Sequence, residues 1–458
     1  MNGFSGYQRL IVIISILASF VSFLDGFVVN VALPAIVTEL GGGLAVQQWI
    51  VNAYLLTLGS LMLVAGALSD IFGRVRLLVI GLVSFGVASL LCALAPDALF
   101  LIVARGIQGA AGALLVPSSL ALLMSTFSGN KEGKAIGIWT SWTVIAAIIG
   151  PLVGGFLVDA ASWRLIFAIN ILPIVITLWL MRALRKDQTP QKGAIDGAGA
   201  ILCAMGLGGI TYGLIEQPHF GWHHPVIYLS LGLGLVMFTF FLFHEKRTTY
   251  PMLPLDLFAN RNFAAGNIAT FFIYGGLSLS SFIITIYLQQ IAGYSALFAG
   301  LTFLPVTFLM FGLSSYFGAL ASKFGPRLFM ALGPCISGVG FLLLLPVDAS
   351  VNYWLELFPG ICLLGIGLSI TVAPLTTAIL GSIEHAHSGI GSAINNTVAR
   401  TAGLVAVAVI GVLVGSQLTI SGVHVGLLFT AGLFFTGGII SAIGIRNHLV
   451  KPNHSHQS

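Results

Sequence analysis

Long apolar runs alternate with short polar segments along almost the whole chain. Each run is about 20 residues long, which is the length that an α-helix needs to cross about 30 Å of hydrocarbon. The runs are continuously apolar, whereas the strands of a membrane β-barrel alternate between apolar and polar positions. The pattern therefore predicts fourteen transmembrane helices. The predicted spans are 9–32, 48–68, 77–95, 98–124, 135–158, 163–182, 195–215, 225–243, 263–289, 296–319, 328–346, 352–379, 389–415 and 424–446.

The composition agrees with a polytopic membrane protein of the all-α class. Of the 458 residues, 57% are hydrophobic and only 7% are charged, whereas soluble domains carry roughly 25% charged residues. So few charges cannot cover a water-facing surface, which excludes a soluble enzyme, a disordered chain and a nucleic-acid-binding protein. The four cysteines lie inside apolar runs without metal-ligand spacing, so no metal site is expected.

Lysine and arginine residues predict the orientation of the helices. An even number of spans puts both termini on one side of the membrane. If that side is cytoplasmic, sixteen lysines and arginines fall in cytoplasmic segments and Arg164 alone falls on the opposite side. Both termini are therefore predicted to be cytoplasmic, with residues 449–458 as a polar tail. The first apolar run is interpreted as a retained helix and not as a signal peptide.

A short internal repeat predicts how the helices are grouped. The segment GALSDIFG at 66–73 recurs as GALASKFG at 318–325, and each copy follows the second span of its half. We therefore expect a six-helix bundle at 1–185, an inserted transmembrane hairpin at 193–247 and a second six-helix bundle at 262–448. Repeats of this kind are typical of secondary transporters, whose substrate site lies between the halves.

The energy source is predicted to be an ion gradient. The chain has no Walker A motif and no room for a soluble nucleotide-binding domain, which argues against ATP as the driver. No catalytic triad is found either, and we expect a transporter without cofactors rather than an enzyme. An acid inside a membrane span is costly and is a functional candidate by default. Asp25 lies about 16 residues into span 1, and Arg105, a buried cation of span 4, is its obvious partner. The alternative is a fixed ion pair that only orients helices.

Four segments carry recognisable motifs, namely LDGFVVNVALP (24–34), GALSDIFGRVR (66–76), RGIQGAAG (105–112) and GPLVGG (150–155). Together they resemble motifs of the major facilitator superfamily, in its fourteen-spanner drug:proton antiporter branch. The resemblance covers essentially the whole chain, and it implies the major facilitator fold of two six-helix bundles with an inserted hairpin. It also implies that Asp25 and Arg105 couple protons to transport.

The resemblance also assigns gating and directional roles. The segment at 66–76 is similar to the superfamily's signature loop, which locks the cytoplasmic side in the outward-facing state. Its gating residues are Gly66, Asp70, Gly73, Arg74 and Arg76. The antiporter motif, typical of exporters, comprises Gly150, Pro151, Gly154 and Gly155. The alternative for this motif is a packing kink without directional meaning. The second copy of the signature loop has Ser322 and Pro326 where the first has Asp70 and Arg74, so the halves should not be gated equally.

The predicted function is proton-coupled export of amphipathic or cationic drugs across the bacterial cytoplasmic membrane by alternating access. We expect a monomer whose partners are small-molecule substrates, protons and the bilayer. An apolar and aromatic cavity with few polar groups suits varied ligands. The candidate cavity residues are Asn30, Gln108, Trp142, Tyr274, Asn395, Asn396 and Arg400. Two alternatives stay open, namely a dedicated exporter of one metabolite, peptide or siderophore and a non-transporting membrane sensor or scaffold.

Overall fold

The computed structural model describes residues 4–127, 130–184, 195–384 and 388–447, and within these ranges the chain contains helices and no strands. The predicted all-α class is therefore confirmed. A 3₁₀ turn occupies Leu255–Ala259, and a π turn occupies Tyr353–Leu357. The α-helices are α1 (Gly6–Leu40), α2 (Gly43–Phe72), α3 (Arg74–Ala93), α4 (Ala98–Thr126), α5 (Asn130–Ala160), α6 (Leu165–Ala168), α7 (Ile171–Met181), α8 (Gly197–Phe220), α9 (Pro225–Arg247), α10 (Arg261–Gln290), α11 (Ala296–Leu301), α12 (Leu304–Phe324), α13 (Pro326–Leu343), α14 (Phe358–Leu380), α15 (Ser388–Val414) and α16 (Ile420–Gly444).

Twelve helical segments in the described part of the chain are long and apolar enough to cross a membrane. They coincide with twelve of the predicted spans. The other two, 135–158 and 163–182, correspond to α5 and to α6 with α7, in which the described apolar stretches are Ile149–Ala160 and Leu165–Met181. The polytopic helical fold is thus confirmed, while the count of fourteen and the side of the termini stay predictions.

The inserted pair α8 and α9 lies beside the two predicted halves, with α8 as the helix that contacts them. These two helices pack along each other, and α8 also contacts α2 before it in the chain and α15 after it. On the α2 side, the Trp49 indole donates a hydrogen bond of 2.8 Å to Glu216 at the far end of α8. The pair therefore lies against helices of both predicted halves. The predicted boundaries at 185 and 193 and the tail at 449–458 fall outside the described residues.

The two copies of the repeat fold in the same way, which supports their equivalence. Gly73 separates α2 from α3 and Gly325 separates α12 from α13, with φ angles of 95° and 86°. Backbone in this left-handed region favours glycine, because a Cβ would be strained there. The structure corrects the predicted loop at 69–76, since a single glycine makes the turn and the residues on both sides of it are helical.

Candidate functional site

An ion pair lies buried between α1 and α4. Asp25 and Arg105 are 0% and 1% exposed, and the Arg105 Nη1 atom donates to the Asp25 Oδ2 atom over 2.5 Å. The Arg105 Nε atom also donates to the main-chain oxygen of Ile50 in α2, at 3.2 Å. Breaking a buried pair by removing one partner is strongly destabilising, because the remaining charge is left uncompensated. The structure therefore brings together the two residues that the sequence singled out.

Two amide side chains complete the surroundings of the carboxylate. The Gln108 Nε2 and Asn170 Nδ2 atoms donate to the Asp25 Oδ1 atom, at 2.9 and 3.0 Å. Both amides also donate to the hydroxyl of Ser89 in α3, at 2.8 and 3.2 Å. Two donors from α4, Arg105 and Gln108, and one from the turn before α7 thus surround the Asp25 carboxyl group. Hydrogen bonds to a charged group are roughly twice as strong as neutral ones.

The ring of Tyr54, in α2, packs against the guanidinium group of Arg105. The centre of its ring lies 4.3 Å from the Arg105 Cζ atom, which is the geometry of a cation–π contact. Its hydroxyl is 3.0 Å from the Ser22 Oγ atom and donates to the Ser22 main-chain oxygen at 3.2 Å. The tyrosine therefore joins α2 to α1 directly beside the ion pair.

The glycines of the segment 105–112 allow α4 to approach α2. A Cβ on Gly109 would collide with the main-chain oxygen of Tyr54. A Cβ on Gly112 would lie 3.3 Å from the Tyr54 hydroxyl. This close approach sets the distance at which the Arg105 guanidinium packs on the Tyr54 ring.

The antiporter motif packs α5 against both predicted halves. A Cβ on Gly150 would lie 2.9 Å from the Phe27 Cβ of α1, and one on Gly154 would collide with the Val28 side chain. On the opposite side, a Cβ on Gly155 would lie 2.5 Å from the Leu297 Cα of α11. The glycines therefore permit helix contacts on two faces of α5, one of which crosses between the halves.

Hydrogen bonds between the halves tie together the end of the molecule that faces outward in the predicted orientation. Asp159, at the end of α5, accepts from the backbone N–H groups of Ala296 and Leu297 at 3.0 and 2.8 Å. Gln48 of α2 donates to the Val407 main-chain oxygen of α15 over 2.6 Å. The outer ends of α5 and α11, and of α2 and α15, are thus in direct contact, and this side is closed.

We expect Gly155→Ala to open this contact, because the added methyl group would overlap the backbone of α11. Distances between spin labels at the outer ends of α5 and α11 should shift toward a longer population. Gly137→Ala on the same helix is the matched control, since a Cβ there meets nothing within 4 Å. Identical distance distributions for the two variants would show that the glycine contact has no part in closing this side.

The predicted cavity residues divide between different places. Asn30 of α1 donates to the Ser281 hydroxyl of α10 over 3.3 Å, so it bridges the halves. Asn395 donates to Asn267 and Thr270 at 3.1 and 2.8 Å, contacts that stay within the second half. Asn396 donates to the backbone of its own helix, and Trp142 is 42% exposed. Gln108 lies instead against Asp25, 0% exposed, so the structure places it with the ion pair and not in a cavity.

Arg400 is a second cation at the junction of the halves. Its Cζ atom lies 5.4 Å from the centre of the Phe23 ring of α1. It also packs close to α2, since a Cβ added to Gly59 would lie 3.7 Å from the Arg400 Cβ. Tyr274 of α10 lies in the same region. Within the described part of the chain the guanidinium has no carboxylate partner. A positive charge therefore stands where helices of both halves meet.

Comparison with known families identifies the architecture. A family model described as Major Facilitator Superfamily matches residues 15–407, which is most of the chain. The chain belongs to the major facilitator superfamily. Members of this superfamily are membrane transporters, so the protein is a multi-pass transporter and not an enzyme.

Relatives within the superfamily are similar over most of their length. The chain is 32% identical over 413 residues to the methylenomycin A resistance protein of Bacillus subtilis, a match that covers 88% of this chain and 87% of that protein. It is 32% identical over 419 residues to the multidrug resistance protein Stp of Mycobacterium tuberculosis, covering 90% and 77%. It is 32% identical over 421 residues to a probable actinorhodin transporter of Streptomyces coelicolor, covering 88% and 72%.

Solved structures show the same fold at low sequence identity. A peptide transporter POT in complex with sulfate superposes with a TM-score of 0.71 at 17% identity, covering 96% of this chain and 95% of that one. A D-xylose–proton symporter superposes with a TM-score of 0.68 at 14% identity, covering 96% and 99%. At these identities the likeness shows the major facilitator fold and nothing about the substrate.

The signature segment of this superfamily member differs in detail from the predicted loop. Gly66 lies inside α2 and a Cβ there would meet nothing within 4 Å, so close packing does not require a glycine at this position. Gly73 makes the turn, and Arg74 and Arg76 lie in the first turn of α3. The side chain of Asp70 lies outside the described part of the structure.

Sequence reasoning missed three residues of the buried site, namely Ser89, Tyr54 and Asn170. Asn170 carried a usable signal, because it is a lone amide within the apolar stretch Leu165–Met181, where polar groups are costly. The helix is also broken there, with α6 ending at Ala168 and α7 beginning at Ile171. The other two residues are of types that occur throughout the spans, so nothing in the sequence distinguished them.

Proposed function

We propose that this protein is a proton-coupled antiporter that exports amphipathic or cationic drugs across the bacterial cytoplasmic membrane by alternating access. The proposal includes a monomer with fourteen spans and both termini in the cytoplasm. Its support comes partly from the relatives, whose names refer to methylenomycin A resistance, multidrug resistance and actinorhodin transport. Three similar proteins with names of this kind favour drug export over a sensor or scaffold role.

The observation that carries the coupling proposal is the fully buried carboxylate of Asp25. All its described partners are hydrogen-bond donors, and Arg105 supplies a full positive charge. A proton arriving at Asp25 removes the negative charge that holds Arg105, so the guanidinium must seek other acceptors. Because Arg105 also contacts α2 through Ile50 and Tyr54, this change acts on the packing of α1, α2 and α4. Protonation thereby biases one arrangement of the helices over another, as alternating access requires.

The closed outer contacts support assignment of this structure to the inward-facing part of the cycle. Asp159 and Gln48 join the halves at their outer ends. Export requires these contacts to break so that substrate leaves outward, while the cytoplasmic ends come together. Rocking of one bundle against the other around a central site is the usual motion of such repeats.

The direct test is uphill transport in proteoliposomes that contain only this protein. An imposed proton gradient should drive accumulation of several unrelated amphipathic dyes against their concentration gradients. Collapse of the gradient by an ionophore should abolish the accumulation at once. Transport that persists without the gradient, or a complete lack of flux for folded protein, would contradict the proposal.

A dedicated exporter of one compound is the second candidate function. It is favoured by relatives named after single antibiotics, such as methylenomycin A and actinorhodin. Competition between substrates decides between the two candidate functions, because unrelated dyes that share one polyspecific cavity inhibit each other's transport. A single transported compound that no other member of the panel inhibits would favour the dedicated exporter.

We expect Asp70→Asn to weaken the cytoplasmic lock that the signature segment implies. The change removes a charge but keeps the shape of the side chain, so the resting population should move toward the inward-facing state. A loss of about 1.4 kcal/mol changes this ratio tenfold. Distances between labels on the cytoplasmic ends of the two halves measure the shift. Ser322→Ala is the matched control, because the Ser322 hydroxyl is exposed and donates only to its own helix, at 2.7 Å. An equally large change in the label distances for both variants would contradict the proposed role of Asp70 in the lock.

We expect Arg400→Gln to change the preference for substrate charge. The wild-type guanidinium repels a cation at the junction of the halves, and glutamine keeps a polar side chain without the charge. Transport of tetraphenylphosphonium should therefore rise relative to transport of tetraphenylborate, which has the same shape and the opposite charge. The ratio of the two initial rates in proteoliposomes measures the effect. An unchanged ratio would place Arg400 outside the substrate path.

A further inference from the structure

A second group of buried acids lies at the base of the inserted hairpin, away from Asp25. Asp196 stands directly before α8, and Glu245 lies in the last turn of α9. The Asp196 side chain is 5% exposed, and Glu245 is 3% exposed. Val64, beside this group, is ten residues from Tyr54 along α2, which corresponds to about 15 Å. The two acid sites are therefore spatially separate.

One oxygen of each carboxyl group has an ordinary structural role. The Asp196 Oδ1 atom caps α8 by accepting from the Gly199 N–H at 2.8 Å, and it is 2.7 Å from the His244 Nε2 atom. The Glu245 Oε2 atom accepts from the Leu253 N–H at 2.9 Å, which attaches the segment that follows α9. On each side chain, these bonds satisfy one of the two buried carboxyl oxygens and leave the other without a partner in the described part of the chain.

The remaining oxygens are buried, have no hydrogen-bond donor among the described residues and lie next to the same glycine. Neither the Asp196 Oδ2 atom nor the Glu245 Oε1 atom has a partner among the described residues. Both lie over the same glycine, since a Cβ on Gly199 would collide with Oδ2 and lie 2.7 Å from Oε1. The two carboxyl groups are thus neighbours at this position. A glycine at 199 is therefore what lets them meet.

Two ionised carboxylates in contact and out of water repel each other, so such pairs share one proton. A proton between Oδ2 and Oε1 gives each unpartnered oxygen a hydrogen bond and leaves a single negative charge beside His244. Among the described residues, the other charged neighbours are the exposed Lys246 and Arg247 of α9 and the exposed Asp256 of the following segment. None of these contacts either unpartnered oxygen.

We propose that Asp196 and Glu245 form a second proton-binding site of this transporter, in which one proton is shared between the Asp196 Oδ2 and Glu245 Oε1 atoms. Binding of the proton changes the charge of the pair from −2 to −1 and involves no other bond. The site does not depend on the role of Asp25 in the proposed function.

A cavity makes this site accessible at the junction of the hairpin with both halves. Its volume is about 560 Å³, and Asp196 lines it. Tyr250 comes from the segment after α9, Val64 from α2 and Ile390 from α15. The described side chains that α2 and α15 contribute to this lining are uncharged. Proton exchange therefore takes place next to surfaces of both halves. Loss of the proton leaves two negative charges that repel each other, close to the hydrogen bond between Glu245 and the Leu253 N–H.

Infrared difference spectroscopy of the full chain during an upward pH titration tests the proposal. The measurement is made in an Asp25→Asn background, so that failure of the Asp25 assignment does not affect it. We expect the carbonyl band of a protonated carboxyl group to disappear as the pH rises. The band should shift when either aspartate or glutamate is labelled with ¹³C, which needs no substitution in the hairpin.

Substitutions of Asp196 and Glu245 test whether the carbonyl band comes from this pair. Asp196→Asn keeps the Oδ1 acceptor that caps α8, and Glu245→Gln keeps the acceptor for Leu253, so both variants retain their structural bonds. Each should abolish the band. Asp97→Asn is the matched control, because Asp97 caps α4 in the same way, with a bond of 2.8 Å to the Phe100 N–H, at an exposed position. A band that survives both hairpin substitutions, or no such band in the Asp25→Asn background, would overturn the proposal.

Discussion

Asp25→Asn is expected to abolish proton-driven uphill transport, down to the level of liposomes without protein. Asparagine preserves the shape of the side chain, but it cannot take up or release a proton at neutral pH. The surrounding Gln108 and Asn170 side chains can still bond to the remaining carbonyl oxygen. The variant should be less stable, because Arg105 stays buried without its counter-ion, but substrate binding by the folded protein should survive while coupling is lost. Accumulation under an imposed proton gradient, measured alongside substrate binding to the purified variant, checks both parts.

The control for this substitution is Asp97→Asn, which makes the same chemical change at an exposed helix cap. It should transport at the wild-type rate. Wild-type uphill transport by folded Asp25→Asn would show that the buried carboxylate is a structural ion pair. That result would leave the fold and family intact and remove the coupling site.

Arg105→Ala is expected to be inactive and strongly destabilised, and Arg105→Lys is expected to be impaired but folded. Removing the guanidinium leaves the Asp25 carboxylate buried without its cation, a change that costs about 3–5 kcal/mol in comparable pairs. Lysine restores the charge but not the planar fork, which here reaches Asp25, Gln108 and the Ile50 carbonyl oxygen together. Thermal unfolding and gradient-driven transport of the purified variants measure the two effects.

A double variant separates stability from coupling at this site. Asp25→Asn combined with Arg105→Gln removes both charges, so no uncompensated ion remains and much of the stability should return. Transport should nevertheless stay absent, because no titratable group is left in the pair. Proton-coupled transport by the folded double variant would assign the coupling proton to other residues.

The buried site could be predicted from the sequence only in part. Asp25 in span 1 and Arg105 in span 4 pointed to each other by charge, and Gln108 lies on the same face of α4 as Arg105 because residues three apart are neighbours on a helix. This proximity to Arg105 brings Gln108 to Asp25 and keeps it away from the cavity. Asn170 comes from the turn between α6 and α7, and the hydropathy of a single chain does not show which segments pack together.

The limits of the helices show what hydropathy does not capture. The polar residues of 69–76 ended the apolar pattern and so predicted a loop, yet helix continues to Phe72 and resumes at Arg74. A helix can continue beyond the membrane with polar side chains, because its backbone hydrogen bonds do not depend on them. The helix is interrupted only at Gly73, whose backbone is left-handed. The predicted span 163–182 is likewise divided between α6 and α7, at a place where the hydropathy stays high.

The exchange of substrate for a proton at Asp25 is tested most directly by proton release upon substrate binding. Purified protein in weakly buffered solution is mixed with a transported dye, and the released protons are measured with a pH indicator. We predict release from the wild-type protein and none from Asp25→Asn, although both bind the dye. Dye binding to the wild type without proton release, or equal release from Asp25→Asn, would contradict the proposed antiport through this residue.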